Sequence, residues 1–275
     1  MKKVLDREKI TIKCPACFDL ALCLDCGQAF RWEKEENGWR GVISGREYLL
    51  NQVGNTLEVS VSTDDGSIHI LKDYFDFNRD YDAVLESLNA DRYFSQAAKE
   101  YYGIRILRQQ GWEALCSFII SQNNNIPRIK GIISRLCESF GEKINDGAYS
   151  FPSAERLAGL EVSDLAPLRS GFRAKYIIDA AKKVSSGEVD LKKIQTMPID
   201  EARQALMSIK GVGPKVAECT LLYGFNRLDA FPVDVWVKRI LRELYPDGLP
   251  VCFSPYEGIA QQYLFHWRRN TDTKK

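Results

Sequence analysis

Histidine is nearly missing from this chain, with only His69 and His266 among 275 residues. Catalysis organised around a histidine base, and metal sites built from several imidazoles, are therefore almost excluded. Long apolar runs are missing as well. No stretch approaches the roughly 20 apolar residues of a membrane-spanning helix, and Met1-Lys-Lys-Val-Leu-Asp-Arg-Glu-Lys9 has no apolar centre of signal-peptide length. The expectation is a soluble cytoplasmic protein with no membrane partner. Charge of one sign is not in excess either: 38 Lys/Arg face 37 Asp/Glu, for a net charge of +1. Only the distribution is uneven. Residues 1–98 hold 12 basic and 17 acidic side chains and the remainder 26 and 20, so the C-terminal part is the one suited to phosphate.

What is present is enough for a substantial core, since 45% of the residues are hydrophobic, and two or three packed subdomains are expected. Eight cysteines in such a protein are expected to be mostly reduced. Four of them form the pairs Cys14-Pro-Ala-Cys17 and Cys23-Leu-Asp-Cys26, a pattern that thiolate-bound zinc also uses. Common zinc modules leave a dozen or more residues between pairs, and here five intervene. Part of Phe18-Asp-Leu-Ala-Leu22 also alternates like a strand. Unligated thiols are the preferred reading, with zinc left as the lesser one.

The patterning divides the chain into an N-terminal antiparallel β domain, residues 1–85, and a helical body, residues 86–275; the class is α+β. Strands are expected at 18–24, 29–33, 38–44, 47–51, 56–62 and 68–71, separated by turn sequences such as Asn37-Gly38, Asn55 and Asp64-Asp65-Gly66. From Tyr81 the period becomes helical. Helices are expected at 81–88, 91–99, 112–121, 126–139, 153–159, 163–169, 173–185, 191–195, 199–207, 214–224, 234–244 and 255–267.

The most informative segment is Ala205-Leu-Met-Ser-Ile-Lys-Gly-Val-Gly-Pro-Lys-Val-Ala-Glu-Cys219. A helix ends near Met207 and Pro214 suits the first position of the next, giving a helix-hairpin-helix over about 199–224. Gly211 and Gly213 are expected to make a turn too tight for a Cβ. The free N–H groups and positive dipole end of the second helix then suit a DNA phosphate. Lys215 lies in that helix's first turn, where a cation lowers helix stability, and faces the same way as Cys219 one turn on. Asp234 stands at the cap position of another helix. Taken singly, Lys215 and Asp234 read more readily as a surface lysine and a helix cap, and the glycines alone leave an ordinary αα-hairpin turn open.

Together with Phe18-Asp-Leu20, Cys26-Gly-Gln-Ala-Phe-Arg-Trp32, Phe118-Ile-Ile-Ser-Gln-Asn-Asn-Asn125, Gly171-Phe-Arg-Ala-Lys-Tyr176 and Pro232-Val-Asp-Val235, they resemble the 8-oxoguanine DNA glycosylase family of the helix-hairpin-helix DNA glycosylase superfamily. The motifs keep the family's order and spacing over nearly the whole chain. The resemblance implies a TATA-binding-protein-like sheet before the helical body. It implies base-excision repair of duplex DNA carrying 8-oxoguanine by a glycosylase with AP lyase activity. Lys215 would attack C1′ of an extruded nucleotide and Asp234 would stabilise the developing charge. Gly27, Cys219, Gln261 and Phe265 would form the lesion pocket. The Gly27 carbonyl would accept from the N7–H that guanine lacks, Gln261 would read the Watson–Crick edge, and Phe265 and Cys219 would sandwich the base. Asn123 would fill the emptied stack, Arg128 and Arg173 would meet the orphaned cytosine, and Phe172 would wedge the kinked step. Carbonyls of Met207, Ile209 and Val212 would hold a monovalent cation; no other metal or organic cofactor is required. A monomeric bacterial or archaeal enzyme, drawn to the nucleoid by DNA binding, fits the length.

Several positions depart from the better-known eukaryotic pattern. Phe172 stands for tyrosine and Trp236 for a phosphate-touching histidine. Lys210 replaces proline, which is expected to loosen the turn, and Ser121-Gln122 replace two small residues. Preference for the opposite base is therefore left open. Relatives that excise oxidised pyrimidines or mispaired adenine commonly carry an iron–sulfur cluster, which the single Cys252 after Cys219 cannot form. A binding module without catalysis would need neither Lys215 nor Asp234.

Overall fold

A computed structural model of the chain describes residues 8–61, 66–145 and 147–272. Five strands, β1 (Glu8–Lys13), β2 (Trp32–Glu35), β3 (Gly38–Ile43), β4 (Arg46–Val53) and β5 (Thr56–Val61), form one antiparallel sheet in the order β1-β5-β4-β3-β2. Alternation along β5 sets the faces: Leu57, Val59 and Val61 are buried, while Thr56, Glu58 and Ser60 are not. The buried face packs with Phe18, Leu24, Leu71, Tyr74 and Phe75 into a core of its own.

Two of the helices covering this core correct the sequence reading. The expected strand at 18–24 is mostly helix α1 (Leu20–Asp25), because Asp19 caps it by accepting from Leu22 N at 2.8 Å and the run is rich in Leu and Ala. The expected strand at 68–71 lies inside α2 (Ser67–Tyr74), whose buried Ser67, Leu71 and Tyr74 keep a helical period. Strand β1 was not expected, and β2 lies three residues beyond the start of the run at 29–33. Ser62 and the turn residues Asp64 and Asp65 fall outside the described residues.

The helical body holds α3 (Tyr81–Leu88), α4 (Arg92–Glu100), α5 (Gly111–Ser121), α6 (Ile126–Phe140), α7 (Ala154–Ala158), α8 (Ala174–Ser185), α9 (Leu191–Ile194), α10 (Ile199–Met207), α11 (Pro214–Phe225), α12 (Val235–Leu244) and α13 (Glu257–Asp272). A short hairpin of β6 (Lys143–Asn145) and β7 (Ala148–Tyr149) interrupts it, and residues 162–168, which contain Pro167, wind as a tighter 3-10 helix. A second apolar core runs through these helices.

Buried polar groups join the two cores. Gln28 donates to the carbonyls of Cys23 (3.0 Å) and Arg105 (2.8 Å) and accepts from Leu107 N (2.9 Å). Arg105, 1% exposed, donates to the carbonyls of Phe75, Cys17, Asp76 and Arg79 and lies 3.9 Å from the Tyr81 ring centroid. Arg31 pairs with Glu113 at 3.2 Å and reaches the Tyr149 carbonyl.

No helix among the described residues is long and apolar enough to cross a membrane. Cysteines 14, 17, 23 and 26 are all buried, and no three His, Cys, Asp or Glu among the described residues are grouped to hold a metal ion. Cys23 Sγ donates to the Gly103 carbonyl at 3.3 Å, and burial pushes the Cys26 thiol up to about 12.

Candidate active site

The hairpin between α10 and α11 is fixed by bonds that its own sequence does not announce. Val212 N donates to the Ile209 carbonyl at 3.0 Å. From α8, Asp179 Oδ2 accepts from Lys210 N at 2.7 Å, and Lys183 Nζ donates to the Ser208 carbonyl at 2.6 Å. A proline at position 210 could not make the first of these, so Lys210 does not loosen the turn as its sequence implied; the turn is tied down to α8.

Gly211 has φ +82°, and a Cβ there would come within 2.4 Å of the Tyr176 ring. Glycine is thus required on both counts. Gly213 is different. Its φ of −100° is open to any residue and nothing lies within 4 Å of a Cβ placed on it, so steric crowding within the turn does not explain it. Its bare side leaves room for a ligand at the start of α11. The carbonyls of Met207 and Val212 accept no backbone hydrogen bond among the described residues, and that of Ile209 accepts one.

Beside this hairpin opens a cleft of about 930 Å³ lined by residues from five of the sequence motifs, among them Gly27, Asn123, Phe172, Lys215 and Asp234, and by Phe265 of α13. Lys215 is half-buried, and its Nζ lies 3.3 Å from Ser121 Oγ and 5.2 Å from the Phe118 ring centroid. Ser121 Oγ donates to the Phe118 carbonyl at 2.8 Å, which turns a lone pair toward the lysine. No carboxylate pairs with Lys215 among the described residues.

Asp234 caps α12: its Oδ1 accepts from Trp236 N and Val237 N, both at 2.9 Å. Its other oxygen carries no protein hydrogen bond among the described residues. The loop before it is held by Glu218, whose Oε2 accepts from Phe231 N at 2.7 Å while Oε1 pairs with Arg203. Sequence reasoning overlooked Glu218, although an acid one position from the expected pocket residue Cys219 on a buried helix was a signal.

The three consecutive asparagines have three different surroundings. Asn124 Nδ2 donates to the Ile120 carbonyl at the end of α5, and Asn125 Oδ1 accepts from Arg128 N as the cap of α6. Asn123 is exposed with φ +47°, a left-handed conformation that asparagine tolerates. Arg128 is exposed. Arg173 is 2% exposed and donates to the carbonyls of Gln122, Asn123 and Ser170, with its guanidinium 4.4 Å from the centroid of Phe172, itself 47% exposed. As placed, Arg173 clamps the asparagine loop from within, and reaching outward would release those bonds.

Behind the cleft wall, Cys219 is buried and burial pushes its thiol up to about 11, with the Lys215 charge opposing the shift. Gln261, 4% exposed, has an Oε1 with no partner among the described residues. Such an orphaned buried acceptor is rare unless a ligand or water supplies the donor. Gly27, at φ +87°, faces Phe265 and Arg269 of α13. Trp236 also lines the cleft, with Arg239 5.6 Å from its ring centroid.

Comparison with known proteins fits this geometry. The family described as 8-oxoguanine DNA glycosylase, N-terminal domain, matches residues 11–115, and the HhH-GPD superfamily of base excision DNA repair proteins matches residues 116–248. The N-glycosylase/DNA lyase of Saccharomyces cerevisiae is 35% identical over 82% of this chain and 68% of that protein. The chain belongs to the 8-oxoguanine DNA glycosylase family. Among solved structures, MBOgg1 bound to a low-affinity DNA ligand is similar at 44% identity and TM-score 0.90, covering 97% of this chain and 99% of that one. The Clostridium acetobutylicum 8-oxoguanine glycosylase/lyase, in complex with duplex DNA containing cytosine opposite 8-oxoguanine, is similar at 32% identity and TM-score 0.87, covering 97% and 98%. The α+β architecture of this family, a sheet followed by a helical body with its hairpin, is the one described above.

Proposed function

We propose that this chain, as a family member, excises 8-oxoguanine from duplex DNA and then nicks the strand, with Lys215 as nucleophile. The observation that carries the reading is a half-buried lysine with no counter-ion among the described residues, held by Ser121 and Phe118 in the same cleft as Asp234, one of whose oxygens carries no hydrogen bond from those residues. A lysine lacking an acidic partner keeps its nitrogen available for an electrophile.

The target nucleotide leaves the stack, because C1′ is unreachable within it. The Lys215 amine forms a bond to C1′ as the glycosidic C–N bond breaks, and the base departs with that electron pair and a proton. Asp234, as carboxylate, stabilises the positive charge that develops on the sugar. Ring opening gives an imine between Lys215 and C1′. Loss of a C2′ proton then expels the 3′ phosphate by β-elimination, and hydrolysis of the imine frees the lysine.

Around this centre, Gly27, Phe265, Cys219 and Gln261 hold the lesion; the orphaned Gln261 oxygen accepts from the donors on the Watson–Crick edge. Asn123 and Phe172, both exposed, enter the duplex. Arg128, with Arg173 once released, meets the opposite base. Gly211 and Gly213 let a phosphate approach the N-terminus of α11. A monovalent cation on the carbonyls of Met207, Ile209 and Val212 adds positive charge there. The chain acts as a monomer in the cytoplasm and requires no further cofactor.

The test is borohydride trapping on duplexes with 8-oxoguanine opposite each of the four bases. Wild type is expected to give a covalent adduct and a nick, strongest opposite cytosine, and Lys215→Gln neither. An adduct with Lys215→Gln would move the nucleophile to another amine. Binding by wild type without excision or trapping would overturn the assignment.

A further inference from the structure

Three residues of α13, Gln261, Phe265 and Arg269, recur every four positions and so share one helix face. The first two carry expected pocket roles. Arg269 was not singled out from the sequence, yet it lines the same cleft as Lys215 and Asp234. It also lies against Gly27: a Cβ built there would be 3.6 Å from Arg269 Nη1 and 3.8 Å from Phe265 Cε1. A guanidinium and an aromatic ring thus flank the one residue expected to sense N7 of the lesion.

The chemistry of the lesion limits what Arg269 meets there. A guanidinium has donors and no acceptor. In 8-oxoguanine, N7 bears hydrogen and is flanked by two carbonyls, O8 on one side and O6 on the other. If Gly27 accepts from N7–H, a donor fork packed beside Gly27 is placed next to one of those carbonyls. We infer that Arg269 is a base-binding residue that donates to a carbonyl flanking N7 of the extruded lesion. This rests on the proposed lesion pocket.

An arginine here also changes how discrimination works. A carbonyl acceptor on Gly27 alone separates lesion from guanine through a single N7 contact. Adding a charged donor beside it rewards O8, which guanine lacks, or strengthens the grip on O6, which both bases carry. A charged hydrogen bond in a partly buried site is worth about 10- to 100-fold in binding.

The test measures binding in a Lys215→Gln background, so that DNA stays intact, with and without Arg269→Met. The duplexes carry 8-oxoguanine, guanine, 8-oxoadenine, which keeps O8 and N7–H but replaces O6 with an amino group, or a tetrahydrofuran abasic analogue. Arg269→Met is expected to weaken 8-oxoguanine binding by about 10- to 100-fold while leaving the abasic duplex within about threefold. Arg269→Lys, which keeps the charge but loses the fork, is expected to fall between. An equal penalty on 8-oxoadenine assigns the contact to O8; a penalty confined to 8-oxoguanine assigns it to O6. Equal weakening of the abasic duplex would overturn the inference in favour of a phosphate contact, and so would an unchanged affinity for 8-oxoguanine. If Arg269→Met loses the fold by circular dichroism, the Arg269→Lys ratio between the two duplexes decides by the same criterion. Failure of the lesion pocket itself looks different: Lys215→Gln with Arg269 intact would bind 8-oxoguanine no better than guanine.

Discussion

Arg105 and Lys215 are both cations set among apolar groups, and the fold treats them in opposite ways. Arg105 joins the two cores with its donors directed at four backbone carbonyls and its face on Tyr81. Lys215 has the Ser121 hydroxyl, the Phe118 ring face and the neighbouring Cys219 thiol, and no ion pair among the described residues. The same contrast separates Gln28, bonded at both ends of its amide, from Gln261, whose Oε1 has no partner among the described residues. Buried polar groups that are fully bonded hold a structure together; those left with spare capacity in a cleft are the ones a ligand completes. Stability and activity should therefore respond separately to mutation in the two regions.

Exchanging each cation for methionine gives the sharpest break. Lys215→Met should reduce excision by at least about 10³-fold with an unchanged or slightly raised melting temperature. Arg105→Met should leave residual activity per folded molecule but destabilise by about 3 kcal/mol or more, since several carbonyls lose their donors. Urea titration with single-turnover kinetics on both variants checks the pair, and an equal stability loss at Lys215 would erase the contrast.

Asp234 combines both roles, so Asp234→Asn separates them. Asparagine caps a helix as well as aspartate, so the fold should hold while excision falls by about 10²- to 10³-fold with the charge gone. Rates and thermal melts of that variant beside Asp234→Ala, which also loses the cap, divide the two contributions.

His266 extends the comparison to pH. Burial first, and Arg269 second, hold its pKa down to about 4, below the usual 6.5, and Tyr101 packs edge-on against it with centroids 4.6 Å apart. A histidine kept neutral in the fold contributes stability that is complete above about pH 6.5 and is lost as pH falls toward 4, amounting to about 3 kcal/mol. Unfolding measured from pH 7 to pH 4 should flatten in His266→Phe over that window.

Gly211→Ala meets a left-handed backbone and the Tyr176 ring together, and should cost about 2 kcal/mol and weaken binding to undamaged DNA. Gly213→Ala should cost far less stability, because nothing crowds that position. The smallest effect is expected at Ser121→Ala, with about fivefold slower imine formation from a less restrained lysine and no change in melting. Stopped-flow trapping resolves it.

Much of the helical body was legible because caps and periods are local. The helix over 199–207 and the Asp234 cap follow from nearby residues alone, whereas the turn into Pro214 is also held by Asp179 and Lys183 of α8. The β domain was harder: Phe18-Asp-Leu-Ala-Leu22 alternates over too few residues to separate strand from helix, and Asp19 as a cap decides for helix. Lys215 and Asp234 were visible as members of ordered motifs, whereas Glu218 and Arg269 take their meaning from residues distant in the chain.

The sequence by itself determined the order of the motifs and the caps and turns of the helical body such as Asp234 and Gly211, because those depend on neighbours within a few positions. Only the tertiary structure decided that Arg173 turns inward to clamp the asparagine loop, that Asp179 secures Lys210, and that Arg269 lies against Gly27. Those placements depend on how α8 and α13 pack against distant segments. Such packing is set by apolar burial summed over both cores, which no local pattern encodes.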